Sequence, residues 1–128
     1  MKKTTVYFSL FFTLLILFCG CERQNDLTEL PKSNMRTIGS FVINATQNYG
    51  KIPANITSSI NQSTKVITLS KFPLNASLTA LRPQIAISPY ATVYPNNLDS
   101  VDFSNDTTEF TVTAQSGKKT VYAVVKTK

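Results

Sequence analysis

The stretch Glu109–Val125, EFTVTAQSGKKTVYAVV, constrains the fold more than any other part of the chain. Side chains on a strand alternate between two faces. Phe110, Val112 and Ala114 therefore share one side, with Thr111 and Thr113 on the other. Ser116-Gly117 supplies the turn, since glycine takes positive φ without steric cost. Two registers follow from two loop lengths. A two-residue loop would pair Val112 with Val121 and bury Val121, Ala123 and Val125. A three- or five-residue loop with Gly117 left-handed would bury Tyr122 and Val124 instead. The longer loop puts more aromatic area beside Phe110, and buried apolar area drives folding, so it is the expected register. Val121, Ala123 and Val125 are apolar too, which predicts a returning strand partly covered on both faces.

The segments upstream read as further short strands. Phe41 and Ile43 point inward from a first strand over 38–43. A weaker one runs through Ile52–Ile60 around Ile56. Lys65–Ser70 is a third, rich in β-branched residues. Gln84–Ser88 and Ala91–Val93 follow, and Val101–Phe103 is a brief strand or buried anchor. Between them, Leu74, Leu78 and Leu81 are spaced to share one face of one or two helical turns near 74–81, ended by Arg82-Pro83. About seven short strands separated by Pro, Asn and Ser turns predict an all-β sandwich.

The 128 residues suffice for one domain. Residues 1–20 read as a secretory signal: Lys2 and Lys3 precede an apolar run, Val6–Phe18, too short to span a bilayer, which takes roughly 20 residues. Gly20 directly before Cys21 resembles a bacterial lipobox, so Cys21 is expected to be acylated and to become the mature N-terminus. Two acyl chains anchor stably where one would not. Residues 21–36 are polar, contain Pro31 and read as a flexible tether; 37–128 is the folded domain.

Composition excludes several chemistries. The sequence has no histidine and no tryptophan, and its cysteines are Cys19 and Cys21 only. A Ser-His-Asp or Cys-His site and a histidine-based zinc site are therefore ruled out, and no cofactor or metal is expected. The net charge of +6 falls to +4 when Lys2 and Lys3 leave with the leader. The basic residues are scattered, with no stripe interleaved with aromatics, so nucleic acid is not the expected partner. Two of the carboxylates Asp99, Asp102, Asp106 and Glu109 would be enough for glycosidase chemistry or for calcium, but their spacing fits no calcium loop and they read as turn-capping, solvated residues. The five Asn-x-Ser/Thr sequons (Asn44, Asn55, Asn61, Asn75, Asn105) read as the composition of an Asn- and Thr-rich β-protein. Tyr49, Tyr90 and Tyr94 fall in or beside loops, where tyrosine faces stack on sugar rings.

In order along the chain, Val66–Leu69, Leu78–Pro83, Ile85–Ser88, Ala91–Pro95, Asp102–Ser104 and Phe110–Ala114 with Tyr122 resemble a domain of unknown function in lipoproteins of Bacteroides-type bacteria. The resemblance runs from about Ile38 to the C-terminus. It implies an immunoglobulin-like antiparallel β-sandwich similar to cadherin-like modules, held at the outer membrane or cell surface by its lipid. Its motifs are structural and say little about activity. Asp99-Ser100-Val101 and Asp106-Thr107-Thr108 further resemble O-glycosylation sites of exported Bacteroides-type proteins, implying Ser100 and Thr107 as acceptors. The function expected is non-catalytic: a lipid-anchored binding or accessory module for a glycan or surface protein, or a structural spacer or assembly subunit. Metabolic labelling with a fatty-acid analogue should mark the wild-type chain and leave Cys21→Ser unmarked.

Overall fold

The computed structural model describes residues 30–127. The signal segment, Cys21 and the first part of the expected tether, 21–29, lie outside the described residues. Among the described residues seven strands occur in chain order: β1 (Ile38–Val42), β2 (Ser58–Asn61), β3 (Val66–Leu69), β4 (Gln84–Ile87), β5 (Thr92–Tyr94), β6 (Thr107–Thr113) and β7 (Lys119–Lys126). They form two sheets, β1-β4 and β2-β3-β7-β6-β5, facing each other as a β-sandwich.

The β6-β7 hairpin takes the longer-loop register. Phe110 pairs with Tyr122 and Thr113 with Lys119. The Ala114 N–H donates to Lys118 O at 2.8 Å and the Gly117 N–H to Ala114 O at 2.9 Å, leaving Gln115-Ser116-Gly117 as a three-residue loop. Gly117 has φ +88°, the left-handed geometry that closes such a turn. Phe110, Val112, Tyr122 and Val124 are buried, and Val121 is 47% exposed on the opposite face.

The core lies between the sheets. Phe41 meets Phe110 edge-on with ring centroids 5.1 Å apart, and Phe103 lies 6.4 Å from both. Ile67, Leu69, Leu81 and Ile85 complete it. Ile38 and Phe41 are three residues apart yet both buried, because a bulge between Ile38 and Ser40 interrupts the alternation. Ile56 lies outside β2 and joins Ile43 through a single bridge. Val101 and Phe103 are buried anchors; Val101 bridges Leu81.

Two expectations are corrected. The sandwich is not wholly antiparallel, because β3 runs parallel to β7, with Val66 beside Ala123 and Leu69 beside Lys126. The helical turns near 74–81 do not form. Leu74 is fully exposed, Leu78 half-buried and Leu81 buried, so the three leucines share no face. Distant partners hold that backbone instead. The Ser77 N–H donates to Lys51 O at 2.9 Å, Leu78 O accepts from the Phe103 N–H at 2.9 Å, and Leu81 and Val101 exchange bonds at 2.8 and 2.9 Å. A helix of eight residues is marginal by itself, and these long-range bonds outcompete it.

A buried hydroxyl fastens the two sheets. Tyr122 Oη accepts from the Ile38 N–H at 3.3 Å and donates to Gln62 Oε1 at 2.7 Å, while Gln62 Nε2 donates to Ile38 O at 2.7 Å. Ser58 Oγ donates to Phe41 O at 2.6 Å along the same edge. These side chains give β1 the partners that a neighbouring strand would otherwise supply. Tyr122→Phe keeps the ring but orphans the Ile38 N–H. It should cost about 1–3 kcal/mol of stability, read as a lower urea midpoint at unchanged m-value.

Candidate functional site

Acidic side chains in the domain work locally. Asp102 Oδ1 accepts from the Ser104 hydroxyl at 2.5 Å and the Ser104 N–H at 2.8 Å. Those two bonds, with a small contribution from the Lys126 charge, hold its carboxyl below the usual carboxylate range. Asp99 Oδ2 accepts from the Asn96 N–H at 2.9 Å. Both are turn-forming contacts. No group of three or more metal-ligating side chains occurs among the described residues.

The three tyrosines are exposed but stand on different surfaces. Tyr90, 77% exposed and with φ 62°, sits in the β4-β5 connection. That connection lies at the hairpin end of the sandwich, since Ser88 bonds Thr37 just ahead of β1 and Thr92 pairs with Thr113. Tyr94, 74% exposed, is on the outer face of the five-stranded sheet beside Thr111 and Val121. Tyr49, 93% exposed, belongs to the loop that follows β1, at the end opposite the hairpin. Ser100 and Thr107 are both exposed.

The Tyr49 loop forms a cleft of ligand size, and a smaller hollow of about 400 Å³ lies between β4 and β5 beside Asn96–Leu98. Ala45, Thr46, Tyr49–Pro53 and Asn75 line an open space of about 700 Å³. Ordinary ligand clefts span roughly 300–1,000 Å³. Its backbone is held by asparagines. Asn48, 3% exposed, donates through Nδ2 to Asn44 O at 2.8 Å and Arg82 O at 3.0 Å, and its Oδ1 accepts from the Arg82 N–H at 2.7 Å. Asn48 O accepts from the Lys51 and Ile52 N–H groups at 3.0 and 3.4 Å. Asn55 Oδ1 takes the Ala45 N–H at 2.8 Å, and Asn44 Oδ1 takes the Thr46 N–H at 3.0 Å. Gly50, at φ 76°, turns the chain directly after Tyr49. Lys51 Nζ donates to Ala80 O at 2.6 Å. The sequence marks Asn48-Tyr49-Gly50 as a turn. It does not mark Asn48 as buried, because the partner that buries it, Arg82, is distant in sequence.

The chain enters the fold at the hairpin end. The Ser33 N–H donates to Gln115 Oε1 at 2.9 Å, the Ser116 N–H to Ser33 O at 3.1 Å, and Arg36 Nε to Thr120 Oγ1 at 2.7 Å. Ser33–Arg36, the last part of the segment with tether composition, thus lies along the turn. β7 leaves at the other end, where the Thr127 hydroxyl and N–H both donate to Leu69 O.

Comparison with known proteins gives a family and a fold. The model of the family described as SGBP, N-terminal, matches residues 39–125. A "putative glycoside hydrolase" from Bacteroides thetaiotaomicron is similar in structure at 22% identity and a TM-score of 0.56, over 77% of this chain and 26% of that one. A DUF4623 family protein from Bacteroides eggerthii is similar at 18% identity and a TM-score of 0.56, over 73% of this chain and 21% of that one. The chain thus spans about a quarter of the length of these structures, and at such identities the likeness shows the fold alone. No curated protein matches the sequence.

Removing the Asn48 amide should loosen the loop locally. Asn48→Ala leaves the Arg82 N–H and O without their side-chain partner and should cost about 1–3 kcal/mol. Hydrogen exchange should speed up at Lys51 and Ile52 while the Phe110 and Tyr122 amides stay protected; uniform acceleration across both regions would refute a local role.

Proposed function

This chain belongs to the SGBP N-terminal family, and we propose that it is a non-catalytic, lipid-anchored module of the bacterial cell surface that binds glycan. The family match over 39–125 carries this reading, because that family comprises surface glycan-binding proteins. The residue inventory is compatible with it: the domain has no histidine or thiol to act as base or nucleophile, and the carboxylates of Asp99 and Asp102 are engaged in turns. Tyr49, Tyr90 and Tyr94 are the aromatics available to sugar rings, each on its own surface. Anchoring through acylated Cys21, followed by the 21–36 tether, brings the chain into the domain beside the hairpin turn. Ser100 and Thr107 are the proposed O-glycosylation acceptors, both open to solvent.

One observation favours the second reading, a structural spacer or assembly subunit. The chain enters at the hairpin turn and β7 runs out at the opposite end, the arrangement of a module that sets a distance between two attachments. Affinity electrophoresis through gels containing plant and microbial polysaccharides separates the two readings. Glycan binding predicts retarded migration in at least one gel, weakened by alanine at an exposed tyrosine. Unretarded migration in every gel, together with a co-purifying surface protein, would leave the spacer.

A further inference from the structure

The Tyr49 cleft has a chemistry narrower than that of a general sugar-binding surface. We propose that it is a subsite for an internal residue of a neutral polysaccharide, with the Tyr49 ring as the stacking platform and Thr46 and Asn75 as its polar contacts. The inference rests on the glycan-binding reading and deepens it.

Three observations carry it. The first is an unburied ring on a fixed backbone. Tyr49 is 93% exposed, so the fold gains almost nothing from its ring. Yet the residue before it is buried and hydrogen-bonded to Arg82, and the two residues after it are the left-handed Gly50 and the bonded Lys51. A platform held this way loses little conformational freedom when a ligand arrives, which is how a tyrosine contributes affinity at low entropic cost.

The second is the composition of the walls. Ala45, Ile52 and Pro53 are apolar, and Thr46 and Asn75 add a hydroxyl and an amide that the loop's own bonds do not use. A pyranose presents the complementary pattern, an apolar ring face with a rim of hydroxyls, and an aromatic face meets the first while amide and hydroxyl groups meet the second. The third is charge. No carboxylate lines the cleft, and its single cation, Lys51, has its ammonium on the Ala80 carbonyl. An acidic sugar would therefore find no uncommitted cation here. The space is open, with one loop and Asn75 as its walls, so nothing caps a chain terminus and a ring within the polymer fits as well as one at its end.

The test uses detergent-solubilised full-length protein on biosensor surfaces carrying biotinylated neutral polymers (glucomannan, xyloglucan, arabinoxylan, mixed-linkage β-glucan) and acidic ones (polygalacturonate, alginate). The proposal expects binding to at least one neutral polymer. Tyr49→Ala should weaken it at least tenfold, and Asn75→Ala less. Met35→Ala, at an exposed side chain by the hairpin end, should stay within twofold of wild type. Soluble oligosaccharides of that polymer should compete, while its free monosaccharides should not. An unchanged thermal midpoint for Tyr49→Ala, expected from its exposure, excludes unfolding as the cause. Wild-type affinity in Tyr49→Ala with loss in Tyr94→Ala would overturn the cleft and leave glycan binding intact. Tyr49-dependent binding to acidic polymers alone would overturn the neutral assignment. Binding to none of the polymers would overturn the glycan reading and the subsite together.

Discussion

The sandwich depends on one hydroxyl placed between its sheets. β1 has a single strand neighbour, β4, so the backbone groups of its other edge, the buried Ile38 N–H among them, take their partners from elsewhere. Tyr122 and Gln62 answer the Ile38 N–H and carbonyl, and Ser58 answers Phe41. An orphaned backbone group in that position would cost about as much as several favourable contacts supply. The arrangement requires Tyr122 to point inward, which the register set by the three-residue hairpin loop provides and a two-residue loop would not. Shifting the pairing by one residue would expose Tyr122, bury Val121 and remove the bond between the sheets.

The abundance of asparagine has the same origin. Asn44, Asn55 and Asn61, three of the five sequon residues, each use the side-chain oxygen to accept backbone N–H bonds in loops. Asn97 does this at the free edge of β4. Its Oδ1 accepts from the Ile85 N–H at 2.7 Å and its Nδ2 donates to Ile85 O at 3.3 Å, as an adjoining strand would. A short amide that mimics a peptide group can close an edge or a turn where no strand is available. Three of the five sequon asparagines are thus accounted for by how a small sandwich satisfies its loops.

These devices also shape the surface available for binding. Rigid loops hold their exposed side chains in place, and Tyr49 stands on the most heavily bonded of them. The outer face of the five-stranded sheet is different in kind. Val66, Val121, Ala123 and Val125 form an apolar patch there among threonines, and it is only partly covered. The domain therefore offers a shaped cleft at one end and a flat sheet face along its side.

Alternation along a strand is local, so the sequence by itself determined which faces of β6 and β7 are buried, the inward turn of Phe41, and the all-β class. It also placed Tyr49, Tyr90 and Tyr94 at solvent and left residues 30–127 without a histidine or a thiol. The tertiary structure alone decided where non-local backbone bonds go. It set β3 parallel to β7, withheld a helix from Leu74–Leu81 by giving Ser77, Leu78 and Leu81 to Lys51, Phe103 and Val101, and put the three tyrosines on separate surfaces. It also turned Asn48, which reads as a turn residue, into a structural one, and gave Gln62 its place beside Tyr122. The physical reason is distance along the chain: a residue's periodicity is written in its neighbours, but its hydrogen-bond partner tens of residues away is chosen only when the sheets close on each other.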